Sequence, residues 1–191
     1  MERKVILKMN ALAFHNFVVL ILIPMVLLAC ASLKEPSVPL LEVVSYVDLK
    51  RYTGTWYEIA RFPHRFQEGC VGSNATYTLL EDGKIGVLNQ CHKGSLDGEI
   101  SSVQGKAWVT DTKTNAKLKV RFFWPFTGDY WIIDLGDNYE YAVVGHPGRQ
   151  YLWILSRTSE MDEALYNRIL KKLHDQFYDV SKLSKTLQPR K

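Results

Sequence analysis

After Tyr46 the chain alternates between short apolar segments and turn-forming residues, and the segments recur at roughly ten-residue spacing, the rhythm of successive short strands. They cover 55–61, 73–80, 84–90, 102–110, 117–123, 130–134, 139–145 and 151–156. Asp82-Gly83, 111–115 and His146-Pro147-Gly148-Arg149 supply hairpin-type links between them. Eight consecutive antiparallel strands predict an all-β, up-and-down barrel, because closing the sheet removes both exposed edges.

Alternation within a strand says which side chains share a face. Leu118, Val120 and Phe122 fall on one side of the fifth segment and Lys117, Lys119 and Arg121 on the other, as a half-buried strand requires. The segments 131–133 and 151–155 are apolar on both faces, so in a barrel one face lines the lumen and the other lies under a helix. That helix is predicted at 159–174, where Met161, Leu165, Ile169, Leu170 and Leu173 recur at helical spacing. Ser159 is its candidate cap, with Asp162 and Glu163 in the dipole-favoured first turn. No internal repeat or second domain is visible.

The amino terminus follows a different pattern. Arg3, Lys4 and Lys8 precede an apolar run from Phe17 to Ala29, the layout of a secretory signal over 1–29. The run contains Pro24 and is shorter than the ~20 residues that span a bilayer. Leu27-Leu28-Ala29-Cys30 resembles the bacterial lipobox, which implies that Cys30 receives the lipid and becomes the first residue of the mature chain. Residues 30–45, with prolines at 36 and 39, then read as a lipidated end and an extended tether. Cleavage removes three basic residues and one acidic one, lowering the formal charge from +4 to +2, too small to suggest nucleic acid or another polyanion as partner. The remaining 46–191 suits one domain. Cys70 and Cys91 form an even pair in an exported chain, which reads as a disulfide; two separate buried thiols are the alternative.

No catalytic constellation can be assembled. There is no Gly-x-Ser-x-Gly elbow, no His-Glu-x-x-His and no phosphate-cradling loop, and the histidines lack paired ligand spacing, so neither an enzyme, a metal site nor a cofactor is expected. Aromatic residues are abundant instead: Trp56, Trp108, Trp124, Trp131 and Trp153, with the strand tyrosines, can close a barrel or line an apolar cavity. Strand parity puts Trp56, Glu58 and Ala60 on one face. If Trp56 is the floor, Glu58 looks into the lumen, where an ionised carboxylate needs a partner: a ligand head group, solvent or a structural hydrogen bond.

The block Gly54-Thr55-Trp56-Tyr57-Glu58-Ile59-Ala60-Arg61-Phe62 resembles the first strand of a lipocalin, and the likeness continues through Ala75-Thr76-Tyr77, Gly105-Lys106-Ala107, Leu118-Lys119-Val120, Tyr141-Ala142-Val143-Val144 and Tyr151 to Arg157. More narrowly, the chain is similar to bacterial outer-membrane lipocalins that resemble apolipoprotein D. The resemblance implies an eight-stranded calyx that binds fatty acids, lysophospholipids or similar lipids without catalysis. It implies a stack of Trp56 and Arg157 at the closed end beside Gly54, and Glu58, Ala60, Tyr77, Trp108, Tyr141 and Trp153 as candidate ligand contacts. The implied place is the periplasmic face of the outer membrane, lipid-anchored, with a role in envelope maintenance or stress and room for a homodimer. The pairing of Cys70 and Cys91 is not part of the resemblance. The rival readings are a protein-binding lipoprotein and, further off, an enzyme that uses the calyx as its pocket.

Overall fold

In the computed structural model, which describes residues 38–189, the apolar segments pair in the order in which they occur along the chain. The strands are β1 (Gly54–Arg61), β2 (Cys70–Leu79), β3 (Ile85–Lys93), β4 (Ile100–Val109), β5 (Lys117–Arg121), β6 (Gly128–Leu135), β7 (Tyr141–Gly145) and β8 (Leu152–Ser156). Each runs antiparallel to the next, and β1 pairs with both β8 and β2, so the sheet closes on itself as the up-and-down barrel that alternation predicts. A short helix that the sequence pattern does not announce, α1 (Leu49–Tyr52), precedes β1 and is capped by the Asp48 carboxylate.

One end of the barrel is plugged. Val47 and Tyr52 are buried there, and the Val47 amide donates to the Thr114 carbonyl at 2.8 Å. The other end carries the loops 62–69, 94–99, 122–127 and 146–151 and forms the mouth. The core begins ahead of Tyr46, since Leu41 is also buried; the expected signal segment and Cys30 lie outside the described residues.

Helix α2 (Glu163–Asp175) follows the predicted span closely, but its start is four residues later. Its cap is Asp162, whose carboxylate accepts from the Leu165 amide at 2.9 Å, whereas Ser159 is buried and caps nothing. A carboxylate at this position also meets the positive end of the helix dipole. The helix covers the outer face of the barrel: Tyr166, Ile169 and Leu173 pack with Ile133, Tyr141, Val143, Leu152 and Ile154. A second apolar cluster fills the interior, including Trp56, Tyr77, Val87, Leu118, Ile132, Val144 and Leu155. Strands apolar on both faces thus serve both clusters.

Two β-bulges decide where key side chains point. In β1 the register with β8 shifts between Glu58 and Ala60, so Ile59 and Ala60 both face the helix side and Glu58 and Arg61 both face inward. In β2 the shift lies between Val71 and Asn74 and includes Gly72 at φ +58°, a left-handed conformation that favours glycine. The bulge sets Cys70 diagonally across from Cys91 with Cα atoms 5.4 Å apart, and the two are joined as a disulfide. Closing a loop of 21 residues contributes about 3 kcal/mol on the chain-entropy account.

After α2 the chain returns as a two-residue strand, β9 (Ser184–Lys185), paired with Ala60 and Arg61. It is needed because β1 and β2 pair only as far as Tyr57 and Asn74. Beyond that point the Gly72 backbone amide donates to the Leu187 carbonyl, and the Gln188 side-chain Nε2 donates to the carbonyls of Glu58 and Ser73, both at 2.8 Å. The carboxyl-terminal segment therefore closes the wall between β1 and β2 near the mouth.

Candidate functional site: the barrel lumen

At the closed end Trp56 is fully buried and its indole N–H donates to the Tyr52 carbonyl at 2.9 Å. The Arg157 guanidinium lies 3.8 Å above the indole ring and donates to the carbonyls of Tyr139, Thr55 and Arg51. Gly54, at φ +92°, leaves space for this guanidinium: a Cβ there would stand 3.3 Å from its Nη1. The stack places both residues at the plugged end of the barrel.

Above this floor the lumen is spanned by three phenols. The Tyr130 hydroxyl on β6 lies 2.8 Å from that of Tyr52 and 2.9 Å from that of Tyr77 on β2. Because β2 and β6 stand on opposite sides of the ring, the bonds form a bridge across the interior. Burial pushes the Tyr77 phenol up to about 12 and the Tyr52 and Tyr130 phenols well above their ordinary range. All three are therefore neutral at neutral pH. A folded-state value above the unfolded one stabilises the fold in the protonated range, so this contribution is complete below pH 10 and is lost as the pH rises towards about 12. Tyr130→Phe should leave two buried hydroxyls without their shared partner. Its expected cost is about 1–3 kcal/mol in urea denaturation at pH 7, with a smaller difference from wild type at pH 11.

Near the mouth the inward residues are polar. Glu58, 3% exposed, accepts from Arg61 Nη1 at 2.6 Å and Gln67 Nε2 at 2.7 Å, and from the Thr186 hydroxyl of the carboxyl-terminal segment. Gln67 in turn accepts from the Trp153 indole N–H at 3.0 Å. Trp153 stacks on Tyr151 with centroids 6.0 Å apart and meets the edge of His64. Burial, with the Arg61 charge nearby, holds the His64 pKa below its ordinary value. The mouth thus combines aromatic faces with amide, imidazole and guanidinium groups, while the Glu58 charge is already matched by Arg61.

Of the candidate ligand contacts, the structure brings Glu58, Tyr77 and Trp153 to the inner face. Ala60, Trp108 and Tyr141 face outward, which corrects the inward placement expected for them. Ala60 is turned out by the β1 bulge and packs under α2. Tyr141 lies in the same outer cluster, its hydroxyl donating to Asp134 at 3.1 Å. Trp108 alternates with the inward Ala107 and Val109 and lies beneath the Arg121 guanidinium, 5.7 Å away. Among the tryptophans only Trp56 and Trp153 look inward. Sequence reasoning missed Tyr52, Tyr130, Arg61, Gln67 and Thr186. The parity of Tyr130 with the inward strand positions was a usable signal, whereas Gln67 and Thr186 lie in segments with no period.

A closed barrel with a stacked floor, an apolar interior and a polar-rimmed mouth is the architecture of a calyx. Residues 47–188 match the lipocalin-like domain family, and the chain belongs to that family. It is 45% identical over 157 residues to temperature-induced lipocalin-1 of Arabidopsis thaliana, covering 78% of this chain and 83% of the relative. It is 43% identical over 161 residues to the outer membrane lipoprotein Blc of Escherichia coli K12, covering 84% and 89%. The crystal structure of insecticyanin from the tobacco hornworm Manduca sexta shares the fold, with a TM-score of 0.65 at 20% identity over 80% of this chain and 86% of that one.

Proposed function

We propose that this chain is a lipid carrier that holds single-chain lipids, fatty acids or lysophospholipids, in its barrel and stores or moves them in the maintenance of a bacterial envelope. The observation that carries this reading is the polarity gradient along the lumen, from the Trp56 floor through apolar walls to the polar set at Trp153, Gln67, His64 and Arg61. A lipid matches that gradient tail-down, with its head group at the mouth. A tail that reaches the floor parts the Tyr52–Tyr130–Tyr77 bridge, so its apolar gain has to exceed the cost of leaving those hydroxyls unpaired. The rival in which a pocket cysteine does chemistry finds no thiol at Cys70 or Cys91, which are bonded to each other.

The test is a titration of delipidated protein with saturated fatty acids and lysophospholipids of increasing length. Affinity should rise with each CH₂, worth ~0.8 kcal/mol before ordering costs, until the lumen is full. Tryptophan emission should change on binding, and Trp153→Ala should weaken both signal and affinity. Absence of binding by chains longer than about ten carbons, which bring the largest apolar gain, would leave a protein-binding lipoprotein as the better account.

The likeness to an outer membrane lipoprotein supports attachment through Cys30 at the periplasmic face. Cys30→Ser should leave the protein unacylated and move it from the membrane fraction to the soluble one. Retention of that variant in the membrane fraction with label incorporated would overturn the anchor.

A further inference from the structure

Exposed apolar side chains are common on any protein, but here most of the large ones gather at the mouth end. Phe66 is 81% exposed on the 62–69 loop, and Phe123, Trp124 and Phe126 are 69%, 82% and 76% exposed on the 122–127 loop. These loops follow β1 and β5, four strands apart in an eight-stranded ring, so they stand on opposite sides of the mouth. Ile100, at the mouth end of β4, is exposed between them. Phe122, by contrast, turns inward and packs on the interior cluster. At the plugged end only Tyr46 and Leu79 are large, apolar and exposed among the described residues.

A second observation concerns where the chain enters the barrel. Arg149, in the 146–151 loop at the mouth, donates Nη2 to the Pro39 carbonyl at 2.8 Å and Nε to the Gln176 carbonyl at 2.7 Å. The adjoining Leu40 and Phe177 are exposed, adding to the apolar rim. The polypeptide therefore joins the domain at its mouth, and Cys30 lies nine residues upstream, within about 30 Å even if fully extended. A lipid anchor at Cys30, as proposed above, would keep the mouth within that distance of the membrane. On and beside the loops 62–69, 94–99 and 122–127 the exposed cations Arg65, Lys93 and Arg121 are equal in number to the exposed Glu68, Asp97 and Glu99, so apolar insertion rather than net charge is the available attraction.

We propose that the barrel docks mouth-first on a lipid bilayer, with Phe66, Phe123, Trp124 and Phe126 entering the interfacial layer so that the lumen opens onto lipid. Aromatic tips on opposed loops suit a fluid interface, where Trp and Phe are favoured and each tip finds its own depth. The inference rests on the lipid-carrier reading for its purpose, but not for its test.

The acylated full chain is placed on phosphatidylcholine vesicles with and without brominated phosphatidylcholine, and the Trp124 contribution is taken as the difference from Trp124→Phe. Bromolipid should quench at least half of that contribution. In the unacylated Cys30→Ser protein, the combined Phe66→Ser, Phe123→Ser, Trp124→Ser and Phe126→Ser variant should partition onto plain vesicles at least tenfold more weakly than its parent. Its affinity for soluble fatty acid should be unchanged, because none of the four lines the lumen. An unquenched Trp124 on vesicle-bound protein, or equal partitioning of the two proteins, overturns the docking surface. Intact quenching with no fatty acid binding overturns only the carrier reading.

Discussion

Glu58→Ala is expected to destabilise the barrel by about 3–5 kcal/mol, the usual cost of removing one partner from a buried ion pair. The loss falls mainly on Arg61, whose side chain is 14% exposed and would keep its charge with no counter-ion. Gln67 and Thr186 lose an acceptor at the same time, which loosens the loop at the mouth and the carboxyl-terminal segment that seals β1 to β2. For a domain of this size the melting temperature should fall by roughly 6–20 °C. Glu58→Gln separates charge from hydrogen bonding. Its amide would face the Gln67 amide, and a flip of Gln67 to accept from it would remove the acceptor for the Trp153 indole. Glu58→Gln should therefore shift Trp153 emission as well as stability, whereas a loss below 1 kcal/mol in both variants would mean that water reaches Arg61.

Arg157→Ala should cost about 2–3 kcal/mol, with lipid affinity nearly unchanged. The guanidinium contributes a cation–π contact over Trp56 and charge-assisted bonds to three carbonyls, discounted because part of the group meets solvent. Arg157→Lys should recover little of this, since an ammonium cannot stack flat on the indole while reaching three carbonyls on separate segments. Melting curves and Trp56 emission measure the loss, which should appear as a red shift when the ring is uncovered. A large drop in lipid binding at an unchanged melting temperature would put the pair in the binding path instead of the floor.

The strands, their order and the covering helix were legible because they rest on local periods. Alternation over five or more residues survives small errors at its ends, and turn residues mark the links. The stacked pair of Trp56 and Arg157 was legible only through the family resemblance, and Cys70 with Cys91 through parity of number. The simple hairpin register leaves them a few residues out: the bulge at Gly72 supplies one of these, bringing Cys70 opposite Lys93, and the bond spans the rest diagonally. Ala60 was misplaced for the same kind of reason. Parity counts residues, and one unpaired residue at a bulge reverses every assignment after it.

By itself the sequence determined that this protein would be a closed antiparallel barrel with an aromatic interior and one helix outside, since alternation and edge avoidance leave little else. Only the tertiary structure decided which carboxylate, phenol and indole share the lumen. Tyr77 meets Tyr130 from across the ring, and Thr186 reaches Glu58 from 128 residues away, so neither contact leaves a local trace. The mouth-end confinement of Phe66 and Trp124 was hidden likewise, because loops far apart along the chain become neighbours at one rim only when the sheet closes.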